Sequence, residues 1–257
     1  MEKVLKVREL EKLVVTDPKN ANSLIAIRKE LESEDSPKDV RMAALHSLRR
    51  VFVHYLDSGL FGVTSKEDKN KGKKLDEFKK WLVQQLNAYQ IILRGYIAAN
   101  DTTFQGPSIR TLLEFVRRDH LISPPTGSRS TASNQSSVPA TFGVMNYQWM
   151  LTSLLSVDDI DFDVIVMLRD EVFSKPDCAF YALLIFRNLL HDSLVQTRQD
   201  DEETKEDKQH AQSLLLKNCL DLLRFISVPT EEDVLTTRQG TNIQLNPFYH
   251  TTLSTPY

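Results

Sequence analysis

The stretch SPKDVRMAALHSLRRVFVHYLDSG, Ser36 to Gly59, decides the fold class. Its apolar residues Val40, Ala44, Leu48, Val51, Phe52 and Tyr55 recur at steps of three and four, which return a side chain to nearly the same azimuth of a helix. A half-buried strand would instead alternate at every second residue. Both ends carry their own signals. Ser36 is placed to accept a backbone hydrogen bond as N-cap, Pro37 suits the first helical position, Asp39 complements the positive helix end, and Gly59 suits a left-handed stop. The pattern predicts a helix from about Pro37 to Ser58 whose one apolar stripe needs a neighbour.

The same period runs outward in both directions. Upstream, Leu24, Ile27 and Leu31 predict one helix, and Val4, Val7, Leu10 and Leu13 predict a shorter N-terminal one. Downstream, a charged connector from Lys66 to Lys74 leads to a long helix with the stripe Leu75, Phe78, Leu82, Leu86, Tyr89, Leu93 and Tyr96, ending near Asn100. Gln105-Gly106-Pro107 reads as a turn into a helix carrying Ile109, Leu112, Leu113 and Val116. From Ser123 to Ala140 there are six serines and three prolines with hardly an apolar side chain. Such a segment cannot offset the entropy of ordering, so a disordered insertion is expected.

Beyond it, Tyr147, Leu151, Leu154 and Leu155 predict a helix, and Asp161 caps another containing Val164, Leu168 and Val172. Pro176 opens a third whose run CAFYALLIFRNLL is apolar on nearly all sides, the pattern of a helix packed between neighbours at the centre of this half. Gln199 to Lys208 holds six carboxylates and two lysines and is expected to be a solvated loop or frayed helix start. Ala211, Leu214, Leu215, Leu222 and Ile226 predict the last strong helix, with a further capping pattern at Thr230 to Asp233. The expected organisation is N-terminal helical repeats over 1–122, an insertion over 123–142, a second helical set over 143–235 and an irregular tail over 236–257. The fold class is all-α, an α-solenoid of antiparallel helices of the HEAT or armadillo kind.

With 257 residues, 41% hydrophobic, the chain can bury a sizeable core without staples. Cys178 and Cys219 are the only cysteines and stand at no metal-ligand spacing, so neither a disulfide framework nor a zinc site is indicated. No run approaches 18 consecutive apolar residues, and no membrane partner is expected. The net charge of −3 argues against a strongly basic nucleic-acid binder. Local patches must then carry any such role.

Catalytic signatures are equally scarce. Asp159, Asp161 and Asp163, beside Asp158, fall at the first three ligand positions of an EF-hand loop. The pattern fails where Gly is demanded, at Val164, and where a bidentate Glu is demanded, at Asp170; helix capping is the expected role. The six histidines are scattered, with His46 and His54 read as partly exposed. No HExxH, nucleophile elbow or phosphate loop accompanies them. The reading is of a chain that is not an enzyme and needs no cofactor.

Two basic patches remain. Residues 66 to 80 hold seven lysines among four acids, net +3, and Arg110, Arg117 and Arg118 form a second group, with Arg49 and Arg50 elsewhere. A solvated face is the plainer reading of each. The sharper one is contact with RNA or a partner through Lys66, Lys69, Lys71, Lys73 and Lys74, with Trp81 as a stacking face if it is not buried. Trp149, beside Met150 and Leu151, is expected to be packing.

Three segments together resemble the N-terminal half of the nucleolar complex protein four group, within the CCAAT-binding-factor-like set of ribosome-biogenesis proteins. The first is NANSLIAIRKELESED from Asn20 followed by the helix closing on LDSGLF at Phe61. The second is the Trp-containing helix from Phe78 leading into FQGPSIRTLLEFV, ending at Val116. The third is FISVPTEEDVLTT from Phe225, running on to NPFYH. The resemblance implies a helical-repeat scaffold of the small-subunit processome in the nucleolus, serving early maturation of the small ribosomal subunit, with other processome proteins and pre-rRNA as candidate partners, and brings no catalytic residue. Members usually continue into a second helical region that pairs with nucleolar protein fourteen. Here the chain stops at Tyr257 soon after the FYH pattern, so a fragment or a truncated product is expected. The rival reading is a general intracellular helical adaptor whose lysine-rich and acidic loops serve proteins alone.

Overall fold

The structure is a computed structural model that describes residues 1–61, 69–122, 143–196 and 205–226. The Ser/Pro-rich stretch, the Thr230 capping pattern and the tail lie outside the described residues. Among the described residues there is no strand, and the chain runs as α1 (Glu2–Thr16), α2 (Ser23–Glu32), α3 (Lys38–Asp57), α4 (Lys69–Ala98), α5 (Thr102–Arg117), α6 (Asp119–Ile122), α7 (Val144–Leu155), α8 (Phe162–Met167), α9 (Pro176–Gln196) and α10 (Lys205–Leu223). A 3-10 turn, Pro18–Asn20, joins α1 to α2, and a π-helical turn, Leu168–Phe173, extends α8.

The helices stack in sequence order. α1, α2 and α3 pack together; α2 and α3 then meet α4 and α5, which pair with each other and both meet α7, against which α9 and α10 lie. Each helix thus buries its stripe mainly against near neighbours in the chain, as a solenoid does. One hydrophobic cluster runs through all the layers, from Val7 to Ile226. An all-α helical-repeat solenoid is therefore the architecture.

Buried side-chain groups tie successive layers through backbone carbonyls. Tyr55 donates from α3 to the Val14 carbonyl at 3.0 Å, Tyr89 from α4 to Leu45 at 2.7 Å, Tyr96 from α4 to Leu31 at 2.6 Å, and Tyr147 from α7 to Cys178 at 3.1 Å. Asn218 on α10 donates to Leu155 and Val157 at 3.0 and 2.7 Å. Val14, Leu31 and Leu155 stand at the ends of α1, α2 and α7, where carbonyls lack an intrahelical partner, so these ties also finish the helices. Burial pushes the Tyr55 phenol up to about 12, helped by nearby Asp17, and pushes Tyr89 and Tyr147 well upward. Tyr55, Tyr89 and Tyr147 therefore remain neutral donors throughout the physiological range.

Several local expectations need correction. Ser36 does not cap α3; Pro37 holds the N-cap position, and the Ser36 hydroxyl donates to Glu30 at 2.6 Å. Gly59 does take the left-handed conformation, φ +72°. α4 begins at Lys69 rather than Leu75, since lysine is a good helix former and the charged run can extend the packed stripe backwards. Gln105-Gly106-Pro107 is not a turn but lies inside α5, because Asp101 caps that helix earlier, accepting from the Thr103 amide at 2.9 Å. Pro107 is the sixth residue of α5, past the first turn, so the Thr103 carbonyl goes without the bond that an amide at 107 would give it. On α1 the buried residues are Val7 and Val14, while Leu13 is exposed.

The largest correction concerns α9. Cys178, Ala179, Ala182, Ile185 and Phe186 are buried, but Leu194 and Val195 are exposed and Leu184 is only half-buried. Pro176–Val195 is long and apolar enough to cross a membrane by length and composition, yet only 28% of its apolar window is buried. Its apolarity reflects two unlike faces, one packed and one open, not a central position. Accordingly Ile185→Ala should cost about 2 to 5 kcal/mol and Leu184→Ala less than about 2, because a cavity forms only where neighbours enclose the site. Paired urea melts giving equal losses would mean that α9 is enclosed on both faces.

Gly143 fixes where the chain re-enters after residue 142. Its amide donates to the Val116 carbonyl at 3.2 Å, and Asn146 donates to Asp119 at 2.8 Å. A Cβ on residue 143 would stand 2.8 Å from the Asp119 Cβ and 3.0 Å from the Val116 oxygen. Neither is the far end of a flexible side chain. Gly143→Ala should therefore destabilise by about 1 to 3 kcal/mol in urea unfolding, and an unchanged midpoint would show that this junction is not close-packed.

Candidate nucleic-acid interface

Lys66 lies outside the described residues. Lys69, Lys71, Lys73 and Lys74 fall within the first six positions of α4, whose first turn carries no acid. Four cations there oppose the positive end of the helix dipole, an arrangement that works against helix stability rather than for it. In contrast, Asp39, Asp119, Asp163 and Asp177 complement the first turns of α3, α6, α8 and α9.

One turn further along α4, Phe78 and Trp81 stack with centroids 5.9 Å apart and planes 17° from parallel. Both are half-buried. They form one wall of an open cleft of about 350 Å³ whose other wall is Pro18, Lys19, Ala21 and Asn22, from the 3-10 turn and the start of α2. Asp17 builds that second wall by accepting from the Lys19 amide at 2.9 Å, while Pro18 presets the turn. Beyond the cleft, Arg28 of α2 donates to Gln85 of α4 at 2.9 Å and pairs with Glu32 at 3.2 Å. Trp81, whose burial was open from sequence, is thus neither core nor free surface.

Most of the arginine set is absorbed by the fold. Arg50 makes a forked contact with Glu11 at 2.5 and 2.7 Å, Arg110 with Glu171 at 2.8 and 2.5 Å, and Arg118 with Asp57 at 2.8 and 3.3 Å; Arg49 meets Glu114 at 3.2 Å. Burial alone would raise the Glu11 carboxyl, but hydrogen bonds from Arg50 and Ser47, with the charges of Arg50 and Arg8, hold it below the usual carboxylate range. These pairs link α1 to α3, α3 to α5, and α5 to the π-helical turn. Four of the five arginines singled out in the sequence are thus engaged within the fold.

Among the described residues, several carboxylates and both cysteines are engaged or buried. Asp161 caps α8 through the Asp163 amide at 2.8 Å, and Asp159 pairs with Lys217 at 3.0 Å. Among the described residues no three His, Cys, Asp or Glu side chains converge as a metal site. Both cysteines are buried free thiols; burial pushes Cys219 up to about 11 and Cys178 upward as well, away from the reactive thiolate. Half-buried His46 is pushed downward by burial and by Arg49 and Arg50, and His54 is exposed.

Trp149 is not packing: it is 42% exposed, and the Arg94 guanidinium lies 4.7 Å over its ring. Sequence reading also missed the cleft. Its signal was present in Phe78 and Trp81 at helical spacing and in the turn-forming Asp17-Pro18, but nothing local says that residues 18–22 and 78–81 meet.

No curated protein and no solved structure matches the chain. A family model does, the one described as nucleolar complex protein 4-like, TPR repeats, over residues 2–194 of the 257. The match spans α1 through α8 and most of α9. TPR repeats, like the HEAT and armadillo repeats expected from the sequence, are built from stacked helix pairs. With a match of that extent on a stack of helices in chain order, the chain belongs to the nucleolar complex protein 4-like family.

Proposed function

We propose that this protein is a non-enzymatic scaffold in small ribosomal subunit biogenesis, acting within the small-subunit processome during pre-rRNA processing. The observation that carries the reading is the family match, which extends over nearly all the stacked layers of the solenoid. Its description is of a nucleolar protein, and the nucleus and nucleolus are the setting proposed here. Other processome proteins, nucleolar protein fourteen among them, are the proposed partners, and the lysines at 66, 69, 71, 73 and 74 are proposed to face pre-rRNA. A scaffold needs extended surface and rigid layers rather than a converging set of reactive groups, and the interlayer tyrosine ties supply the rigidity.

The second reading, a general helical adaptor, gains support from the open faces of α9 and α10, where Leu194, Val195, Leu216 and Leu220 are all exposed. Affinity purification of the tagged chain from cells separates the two. Co-isolation of small nucleolar RNA with small-subunit precursors is the expected result. Recovery of protein partners free of any ribosomal precursor would overturn it in favour of the adaptor.

A further inference from the structure

We propose that the exposed seam between α4 and α7 docks a helix of another protein, which sets apolar side chains on Trp149, Ile91 and Met145 and a carboxylate on Arg94. This deepens the scaffold reading, on whose claim of helix surfaces presented to proteins it rests, and it needs no ribosomal setting.

The first observation is a face almost without charge. Gln84, Asn87, Ile91, Arg94 and Ala98 recur on α4 at steps of three and four, as do Met145, Trp149, Thr152 and Ser156 along α7 to its C-cap. All are exposed except Arg94, which is half-buried. The Arg94 guanidinium, 4.7 Å over the Trp149 ring, brings the two stripes together. Asn100, just past the end of α4, donates to the Asp159 carbonyl just past α7 at 2.9 Å, so the two helices run side by side in the same sense. Ile91 and Met145, 59% and 58% exposed, each stand about one turn before that ring contact. In a chain that is 26% charged, residues 81–99 hold one charge, Arg94, and residues 143–157 hold none. A solvated face carries charges, whereas the centre of a protein interface is depleted of them and enriched in Trp, Met and Arg.

The second observation is an unpaired cation. The Arg94 Nε donates to the Gln90 carbonyl at a long 3.4 Å, and no carboxylate among the described residues pairs with the guanidinium. Burial alone pushes its pKa downward. The carboxylates on bordering segments are placed elsewhere. Asp101 caps α5, Asp119 accepts from Asn146 at 2.8 Å, Asp159 is held by Lys217 at 3.0 Å, and Asp158 is exposed beyond the end of α7. A guanidinium already stacked on an indole is set to receive a carboxylate in a charge-assisted bond, which strengthens as a partner excludes water.

These features choose among occupants. One cation cannot neutralise successive phosphates, which argues against RNA. A second copy meeting this face with its own would bring together two surfaces that hold no carboxylate for Arg94. A helix of another protein supplies an apolar stripe and a carboxylate one turn away, and a seam between two parallel helices gives it a groove to lie in.

The test places photoreactive benzoylphenylalanine at Thr152 of the tagged full chain, with the same residue at exposed Lys12 of α1 as control. Cells are irradiated, and crosslinked peptides are mapped by mass spectrometry. Crosslinking is expected from position 152, and not from 12, to one segment of another protein whose apolar residues follow helical spacing with Asp or Glu within a turn of them. Arg94→Glu should lower the yield about tenfold or more, and exchanging that carboxylate of the partner for arginine should restore it. Trp149→Ala should lower it as well. The melting temperature of Arg94→Glu should match the parent, which keeps a binding defect apart from unfolding.

Crosslinks to RNA, to a second copy or within the chain overturn the proposal. So do a mapped segment without a carboxylate, a yield that Arg94→Glu leaves unchanged, and a signal no higher than the control. The two readings fail separately. Ribosomal precursors recovered without a crosslink from position 152 remove this face and leave the processome assignment standing; a crosslink rescued by the charge exchange, with no precursors recovered, does the reverse.

Discussion

Phe115→Ala should destabilise the protein by about 3 to 5 kcal/mol, a large part of the roughly 5 to 15 kcal/mol that holds a domain folded. Phe115 of α5 is fully buried and meets Phe52 of α3 edge-on at 6.5 Å and Tyr89 of α4 edge-on at 6.0 Å, while Phe52 and Tyr89 stack on each other at 5.8 Å. Three helices from two successive layers therefore meet at three rings. Truncation removes the transfer energy of the ring, leaves a cavity and forfeits the edge-to-face contacts, which add about 0.5 to 1.5 kcal/mol each. It also loosens the cage around the Tyr89 hydroxyl, which donates to Leu45. Phe115→Leu keeps most of the volume and should cost clearly less than the alanine variant. Urea unfolding of both variants is the measurement. A loss under about 1 kcal/mol for alanine would place the joint between the layers elsewhere.

Changing Lys69, Lys71, Lys73 and Lys74 together to Gln should weaken association with pre-ribosomal particles and flatten its salt dependence by up to roughly 3 units of slope, since each lost phosphate contact removes roughly 0.7 to 0.9. The fold should not suffer. These residues precede the first described core position of α4, Leu82, and their charges oppose the dipole of the helix they begin. Melting temperature should stay level or rise slightly, which separates a binding defect from an unfolding one. Sedimentation of parent and variant with pre-ribosomes across a salt series reads the effect. Identical profiles at every salt concentration would return the lysines to a solvated face.

The difference between these predictions reflects what a sequence encodes locally. A helix leaves its period in the chain, so the stripes of α2, α3 and α7 could be named from spacing, and Leu24, Ile27, Leu31, Val40, Tyr55, Tyr147 and Leu154 are buried as that spacing requires. Caps are local too, and Asp161 and Gly59 act as read. Helix starts were less legible where two local signals compete: Asp101 and Gln105-Gly106-Pro107 both mark a boundary, and only packing of Phe104 and Gln105 into the core settles it in favour of Asp101.

What the sequence determined by itself is the all-α class, the order of the helices and most of their buried faces, because each follows from a three-to-four-residue period that neighbours in the chain create together. Tertiary structure decided which apolar face stays open. CAFYALLIFRNLL is apolar nearly all round, and the placement of α7, α10 and the π-helical turn against α9 determines that Ile185 is enclosed and Leu184 is not. It likewise decided the fates of the charges and aromatics. Arg50, Arg110 and Arg118 are consumed by carboxylates 39 to 61 residues away, and Trp81 gains a cleft wall from Pro18 to Asn22. Those distances in sequence carry no periodic signal, because a contact between helices depends on how whole layers stack rather than on the residues between its two ends.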